Sequence, residues 1–395
     1  RTHGSVNAAY QASAEEVGVS LKALYDKLAG IEPQTSATLV RHTAEQLTPI
    51  IRKMGGTLPK LLPGFRVKVL DGHHLAKTQR RLKPLRDVAA GPLPGQSLVV
   101  LDPELGLVID IVCCEDGHAQ ERSFAEQILD QTEPRDLWIA DRNFSTTNIL
   151  FGVASKRGNF LIRQHGSTLT YDEPPPPKPV GRCDSGSLAE QTLLLQHPDG
   201  QTLPVRRITI TLDSPTRNGE TEINLLTALT GQQASAERVA ERYLSRWKIE
   251  EAFQVLTCVL RCEVNTLGYP QAALFAFCVA VATFNIYATI KGALRAVHGV
   301  EKVEREVSDH FLADEIAGTY RGLMVAVPDR KWRVFAQADR QTLAAFLLDL
   351  AGRARLPRYK KSPRGPKTPK PRRTRFAQSK HIATSRLLAQ EKQRK

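Results

Sequence analysis

The spacing of apolar residues in the first sixty positions is helical. Residues 6–54 keep this period, and the stretch AAYQASAEEVGVSLKALYDKL predicts one helix ending at Val17 and a second from Leu21 to Leu28. Gly18 supplies the turn between them and Ser20 an N-cap. The pattern is typical of a helix-turn-helix motif, but helical pairs without a role in DNA binding share it. DNA recognition by residues 1–60 is therefore one of two interpretations.

From Phe65 onward the apolar period changes to that of strands. FRVKVLDGHHL predicts a strand running into Asp71, QSLVVLDPELGLVIDIVCCED a hairpin broken at 103–106, and DLWIADRNFST a strand ending at Asp141. ERSFAEQIL and TTNILFGVASKRG are helical, and NFLIRQH is a further strand. The order β-β-β-α-β-α-β predicts an α/β fold with a mixed sheet between helices.

A β-rich segment interrupts this pattern between residues 168 and 218. YDEPPPPKPVGRCDSGS is expected to be irregular because four successive prolines lack backbone donors, and alternating strands follow around Asp199–Gly200. The division predicted from these changes is a helical region (1–60), a first core part (61–167), a β-rich insertion (168–218), a second core part with a helical layer (219–352) and a disordered tail (353–395).

One uncharged run, residues 271–290, is long enough to cross a bilayer. Its alanine content and the polar residues Gln271, Thr283 and Asn285 favour a buried helix instead. We therefore expect a protein without a membrane partner.

Charge and cysteine usage add two constraints. The chain has 395 residues and a net charge of +14, and residues 353–395 contain 16 Lys and Arg against one acid, so the remainder is close to neutral. The six cysteines form no C-x-x-C spacing, which indicates reduced thiols rather than a disulfide framework or zinc site. The vicinal pair Cys113–Cys114 is interpreted as core. The basic tail predicts contact with an acidic partner such as nucleic acid.

The stretch ERYLSRWKIEEAFQVL, residues 241–256, places three polar groups on one face of a predicted helix. At about 100° per residue, Tyr243, Arg246 and Glu250 fall within roughly 60° of one another. Taken alone, this is also the pattern of an amphipathic helix with an i, i+4 ion pair.

Three carboxylates are candidates for catalysis: Asp71 and Asp141 at predicted strand ends, and Glu250 on the helix after the insertion. Carboxylate oxygens are preferred ligands of Mg²⁺, and two such ions suit phosphodiester displacement. Taken singly, each aspartate also fits the role of a residue that begins a turn at the end of a strand. His73 and His74 are interpreted as surface histidines in a turn.

These residues resemble the DDE transposases of bacterial insertion sequences, specifically insertion sequence family 4. The signature of that family is Y-x2-R-x3-E-x6-K, matched here by Tyr243, Arg246 and Glu250, with RWKIEEAF also similar. ADRNF around Asp141 is similar to the context of the second acid, and Asp71–Gly72 to that of the first. The resemblance covers roughly residues 60–300.

The sequence departs from the family signature at its last position, where Thr257 replaces lysine. Either another cationic side chain, such as Lys248 or Arg261, contacts the DNA phosphate in its place, or this copy of the transposase is catalytically degraded.

The resemblance implies an RNase H-like core in which Asp71, Asp141 and Glu250 bind two Mg²⁺ ions, with Mn²⁺ as a substitute. It implies that Tyr243, Arg246, Trp247 and Lys248 contact DNA. The implied function is cleavage at terminal inverted repeats and strand transfer into target double-stranded DNA by a homodimer in the bacterial cytoplasm, associated with the nucleoid. The alternatives are an RNase H-like nuclease without strand transfer and a DNA-binding remnant without catalysis.

Overall fold

The N-terminal region consists of four helices. The computed structural model describes residues 3, 5–75, 82–85, 92–166, 169–216, 219–244, 246–264, 266–361 and 382–394. The helices in its first part are α1 (Val6–Ala12), α2 (Ala14–Val17), α3 (Leu21–Ala29) and α4 (Pro33–Met54). Gly18 adopts φ 63° after α2, a conformation that glycine tolerates without steric cost, and the Ser20 hydroxyl accepts a hydrogen bond from the Ala23 amide. The turn at Gly18 and the cap at Ser20 lie where the sequence predicted them, whereas the first predicted helix is divided at Ser13 into α1 and α2. A helix-turn-helix role in DNA binding stays a prediction.

A mixed sheet with helices on both faces forms the centre of the molecule. The elements of this part of the chain are β1 (Arg66–Leu75), β2 (Pro92–Leu93), β3 (Gly95–Asp102), β4 (Leu107–Cys114), α5 (Ala125–Asp130), β5 (Asp136–Ala140), α6 (Thr147–Ser155) and β6 (Asn159–Arg163), and all of these strands except β2 belong to the sheet. Five of the strands lie in the order β4-β3-β1-β5-β6. β4, β3 and β1 are antiparallel, whereas β5 and β6 run parallel to β1. This arrangement confirms the predicted fold class and is consistent with an RNase H-like sheet.

The strand β1 is longer than the sequence indicated. Its parallel pairing with β5 ends at Leu70–Ala140, but its antiparallel pairing with β3 continues from Asp71, opposite Val99, to Leu75. The prediction that the strand ends at Asp71 was therefore wrong. His73 belongs to β1 and not to a surface turn, because β3 continues to supply backbone partners beyond the end of β5.

The β-rich segment extends the same sheet. Its strands are β7 (Thr170–Tyr171), β8 (Lys178–Cys183), β9 (Gly186–Gln196) and β10 (Thr202–Leu212), and β11 (Glu222–Thr227) follows at the start of the second core part. β11 pairs with β6, and β10, β9 and β7 follow it outward, with β8 also on β9. The expectation of irregular structure is wrong for Lys178–Cys183. Pro179 fits there because β8 is an edge strand, where a missing donor costs little.

Helices complete the second half of the chain. They are α7 (Ala236–Leu244), α8 (Trp247–Gln254), α9 (Pro270–His298), α10 (Val300–Glu306), α11 (Asp309–Ala326), α12 (Asp329–Ala336), α13 (Arg340–Arg353) and α14 (Thr384–Gln393). A π-helical turn, Val255–Val259, follows α8. The apolar residues of α4, α7, α8 and α9 cover one face of the sheet, while α5 and α6 contribute to the core on the other face.

The long apolar helix α9 packs against the protein core. It contacts α4, β3 and β4, and the buried Asn285 side chain donates to Val108 O and accepts from Val108 N at 2.8 Å. Within the described ranges, α9 alone has the length and composition of a membrane span, and half of its most apolar window is buried inside the protein. The expected packing of residues 271–290 is seen in these contacts.

The C-terminal segment has more structure than expected. Leu356–Tyr359 forms a 3₁₀ turn, and β12 (Ile382–Ala383) pairs with β2 and leads into α14. Arg386 in α14 forms an ion pair with Asp116 at 2.6 Å. The prediction of disorder was therefore wrong for these parts. For residues 362–381 disorder stays an expectation, because they lie outside the described residues.

Candidate active site

Two of the predicted acids lie at neighbouring strand positions of the sheet. Asp71 is the first residue of β1 beyond the last pair with β5, and Asp141 directly follows β5. Because the two strands are parallel and adjacent, their carboxyl ends meet at the same edge of the sheet. The Asp141 carboxylate also accepts a hydrogen bond from the Asn143 amide at 2.8 Å and begins the 3₁₀ turn Arg142–Phe144. Asp141 therefore has two properties: it begins a turn, and it lies at the same edge of the sheet as Asp71.

Arg246 connects the first and the third acid. Its Nη1 donates to Asp71 Oδ2 at 3.0 Å, and its Nη2 donates to Glu250 Oε1 at 2.8 Å. The side chains of Arg246 and Asp71 are 19% and 17% exposed, so this ion pair is largely shielded from bulk water, whereas Glu250 is 35% exposed. Asp71 and Arg246, which are 175 positions apart in the sequence, thus bond directly to each other.

The signature residues are divided between two helices. α7 ends at Leu244, α8 begins at Trp247, and Arg246, at the N-cap position of α8, keeps a right-handed helical conformation with φ −53° and ψ −31°. The sequence predicted a single helix here, whereas Tyr243 belongs to α7 and Glu250 to α8. The three side chains lie together as expected of one face, because Arg246 bonds to Glu250 and interacts with Tyr243.

The electrostatics of this cluster are unusual at Asp71. Burial raises the pKa of the Asp71 carboxyl to about 7, with Arg246 opposing the shift and Asp141 and Glu121 adding to it. Burial also raises the pKa of the Tyr243 hydroxyl. For Arg246, burial disfavours the charged form, but Tyr243, Asp71 and Glu250 outweigh it and raise the guanidinium pKa. Arg246 therefore stays charged, while Asp71 carries an electrostatic cost that a further cation nearby would relieve.

Glu121 is a fourth acid at this edge that the sequence patterns did not single out. It lies in the 3₁₀ turn before α5, and its Oε2 accepts from Asn143 Nδ2 at 3.1 Å. A Cβ at Gly72 would collide with the Glu121 carboxylate, so glycine after Asp71 leaves room for this side chain. No fixed spacing connects Glu121 to Asp71 or Asp141. Only the fold brings it there.

Lys248 lies apart from the acids. It lines a cavity of about 130 Å³ behind α8, together with Lys291, Arg295 and Glu304, and burial lowers the pKa of its ammonium group. Lys248 and Glu250 are two positions apart, about 200° around a helix, which explains their opposite directions. The DNA contacts expected of Tyr243, Arg246, Trp247 and Lys248 stay predictions, and the structure does not bring Lys248 to the carboxylates.

Thr257 lies within the π-helical turn after α8. Its hydroxyl donates to the Phe253 carbonyl at 2.8 Å, so the side chain is used within its own helix. At the last position of the signature, the lysine ammonium group is thus replaced by the Thr257 hydroxyl group, which is bonded to the backbone of its own helix.

The fit of the acids to a metal ion can be judged from their chemistry. No group of three or more His, Cys, Asp or Glu side chains in the described part of the chain is arranged to hold a metal ion. The acids nevertheless offer oxygen donors of the kind that Mg²⁺ prefers, and Arg246 already bridges two of them as a cation. The oxygen donors of these acids are therefore chemically suited to a divalent cation. In the present arrangement the Arg246 guanidinium group takes the place of such a cation beside Asp71 and Glu250.

Comparison with known proteins finds a similarity to transposases over part of the chain. The family model of the transposase DDE domain matches residues 96–285, which include Asp141 and Glu250 but begin after Asp71. Among solved structures, the chain is similar to a cryo-EM structure of a piggyBac transposase synaptic complex with hairpin DNA, with a TM-score of 0.34 and 11% sequence identity. That similarity covers 72% of this chain and 56% of the other, so the chain spans little more than half the length of that transposase. No curated protein matches the chain.

Proposed function

We propose that the protein is the transposase of a bacterial insertion sequence of family 4, which cleaves DNA at the terminal inverted repeats and joins the ends to target DNA. The observation that carries this proposal is the position of Asp71, Asp141 and Glu250 at one edge of the sheet. Arg246 joins Asp71 to Glu250 by two ion pairs, and Asp141 lies close enough to Asp71 to raise the pKa of its carboxyl group. A turn-forming or helix-capping role for each acid would not require this common position.

Asp71, Asp141 and Glu250 would hold two Mg²⁺ ions, or Mn²⁺ in their place. When bound, such ions polarise the attacking oxygen and stabilise the leaving one in phosphodiester displacement. Before they bind, Arg246 keeps two of these acids neutralised. Glu121 lies close enough to add negative charge at the same edge.

Arg246 has a second role in this proposal. A guanidinium group presents a planar set of donors that matches phosphate oxygens as well as carboxylates. Once metal ions neutralise the acids, Arg246 is free to exchange its carboxylate partners for the phosphate beside the cleavage site. Tyr243, which interacts with Arg246, would hold it toward the DNA backbone.

The partners follow from the same proposal. Double-stranded DNA, as element end and as target, is the substrate, and a homodimer would hold the two ends together. The basic residues between 362 and 381 would add sequence-independent contacts to phosphate groups. We place the activity in the bacterial cytoplasm, with the protein on the nucleoid when it is bound to DNA.

Two other functions compete with transposition. A nuclease would cleave without joining, and a degraded remnant would bind DNA without cleaving it. Thr257 favours the second of these, because its hydroxyl is engaged with Phe253 and offers no cation to phosphate.

A strand-transfer assay separates the three functions. The DNA flanking the gene supplies the terminal inverted repeats, and the full chain is incubated with intact ends, with pre-cleaved ends and with target plasmid in Mg²⁺. A transposase cleaves the first and joins the second. Cleavage without joining indicates the nuclease, and end binding with neither reaction indicates the remnant.

A further inference from the structure

Two cysteine side chains contact each other between the sheet and the long helix. Cys113 lies in β4 and Cys278 in α9, and their Sγ atoms are 3.5 Å apart. None of the six cysteines, all of which lie in the described part of the chain, forms a disulfide in the structure. The neighbouring Cys114 points elsewhere, with its Sγ 3.5 Å from the Asp116 carbonyl. One of the two vicinal cysteines, and not the other, is thus paired with a second thiol.

The two sulfur atoms differ in exposure. Cys278 is fully buried, whereas Cys113 is half-buried and lines a cleft of about 330 Å³ between α4 and β4. Arg41 and Gln127 also line this cleft. A small water-soluble oxidant therefore has access to Cys113 first, while Cys278 is reached only through Cys113.

The surroundings of Cys113 favour its thiolate form. The contact with Cys278 lowers the pKa of the Cys113 thiol, against the opposing effect of burial, and Ser97 and Arg41 lower it further. Arg41 is fixed in place by Asp110 and by the Ile111 carbonyl at 3.3 Å. Asp110 opposes these effects, and the net direction is a lowered pKa for the Cys113 thiol. A thiolate is the nucleophilic form of cysteine, so this direction favours reaction at Cys113, which also packs against the core.

We propose that Cys113 and Cys278 form an oxidative modification site at which a hydroperoxide converts the two thiols into a disulfide. The Cys113 thiolate attacks one peroxide oxygen, the S–O bond forms, the O–O bond breaks, and hydroxide leaves. The Cys278 sulfur then attacks the sulfenic sulfur of Cys113, the S–S bond forms, and the S–O bond breaks. The Cys278 proton goes to the departing hydroxide. With hydrogen peroxide, two thiols and one peroxide give one disulfide and two water molecules.

The geometry requires only a small movement. A disulfide has an S–S distance of about 2.05 Å, so the two sulfurs approach by roughly 1.5 Å through side-chain rotation and a slight shift of α9. The resulting bond would connect β4 to α9 directly next to Phe277. Phe277 stacks on His73 at 4.9 Å, and His73 lies two residues from Asp71 in β1. Oxidation would therefore restrain the helix that packs behind the Asp71 strand.

The test counts thiols in the full chain. The reduced protein is treated with one equivalent of hydrogen peroxide, unfolded without reductant and titrated with a thiol reagent. We expect the six thiols to fall to four and the mass to fall by two hydrogen atoms. Cys113→Ser should keep its remaining five thiols, whereas the matched control Cys114→Ser should lose two of its five. In Cys278→Ala, Cys113 should instead be trapped as a sulfenic acid by a 1,3-dione.

Peptide mapping in the Cys114→Ser background identifies the bond. Cleavage after Phe277 separates Cys278 from Cys262, so a linked peptide pair containing Cys113 and Cys278 is unambiguous. Six thiols after treatment, or a bond between any other pair, would overturn the proposal. The mapping needs neither the Cys113 nor the Cys278 substitution, so it decides the question even where those variants do not fold. The Cys258→Ser variant removes the most exposed thiol, and electrophoresis without reductant then shows whether any remaining bond joins two chains.

Discussion

Replacing Asp71 by asparagine should stabilise the metal-free protein at alkaline pH. In the native state, burial raises the pKa of Asp71 from 3.8 to about 7. The native protein therefore retains a proton between pH 4 and pH 7 that the unfolded chain has released. A carboxyl group with a raised native pKa favours folding below its unfolded pKa, and this contribution is lost as the pH rises through the native pKa. Asparagine does not titrate, so Asp71→Asn lacks this loss.

The size of the effect follows from the shift. Roughly three pKa units at about 1.4 kcal/mol each give at most about 4 kcal/mol, spread over the range between the two pKa values. About 2.5 kcal/mol of this loss falls between pH 5 and pH 8. The attraction between Arg246 and the Asp71 carboxylate lowers the pKa of Asp71 and is already included in the value of about 7, so it is not added separately.

Urea denaturation followed by circular dichroism measures this difference. The free energy of unfolding is determined at pH 5 and pH 8 in a chelator for the wild type, for Asp71→Asn and for Asp184→Asn, which changes an exposed aspartate between β8 and β9. The difference between Asp71→Asn and wild type should grow by about 2.5 kcal/mol from pH 5 to pH 8, and Asp184→Asn should follow the wild type. Parallel pH profiles for wild type and Asp71→Asn would refute the electrostatic description of the site.

Three further predictions concern DNA binding. Replacing the seven Lys and Arg of residues 362–381 by glutamine, while keeping the packed segment 382–394, should weaken binding to all DNA sequences. The slope of log K against log salt should become less steep by about 0.9 per lost phosphate contact, and an unchanged slope would exclude this role. Alanine at Lys22 and Tyr25 in α3 should reduce the discrimination between terminal and random DNA in competition binding; equal losses on both would point to a structural or purely electrostatic role. Thr257→Lys should tighten binding to element ends, and no change in an active enzyme would show that another cation already contacts the phosphate.

Most of the sheet could be predicted because its strands carry strong local patterns. The strands β3 and β5 lie where the apolar pattern predicted them. The apolar run of β5 and the turn residues after β3 are local signals that need no distant partner to be recognised. The longer β1 was not predictable in this way, since its last residues are held by β3 and not by their own pattern. The edge strand β8 was missed for a similar reason, because its proline, Pro179, is tolerated only where no partner strand lies on the outer side.

The candidate site divides along the same line. The sequence singled out Asp71, Asp141 and Glu250 by their resemblance to a known signature, and their catalytic role stays a prediction. The division into α7 and α8 could not be predicted, because the sequence around Arg246 has a continuous helical period. Glu121 and the contact of Cys113 with Cys278 arise from tertiary packing between distant segments, for which a single sequence contains no spacing signal.

The central claim is that three acids act together as the metal-binding catalytic group. Asp71→Asn, Asp141→Asn and Glu250→Gln each remove one negative ligand while they keep the size of the side chain. Each is expected to abolish cleavage of the element's own terminal DNA in Mg²⁺ and in Mn²⁺, with end binding and folding nearly intact. Combining them should add nothing further, because residues that act as one unit are not additive.

The most direct measurement is the nicking rate of purified Asp141→Asn on that terminal DNA, beside the wild type in the same metal. Asp141 is the most informative of the three, because a structural role in starting the turn Arg142–Phe144 would survive substitution by asparagine. The account predicts wild-type cleavage and none by Asp141→Asn, at equal affinity for the DNA ends. Nicking by Asp141→Asn at the wild-type rate would contradict it.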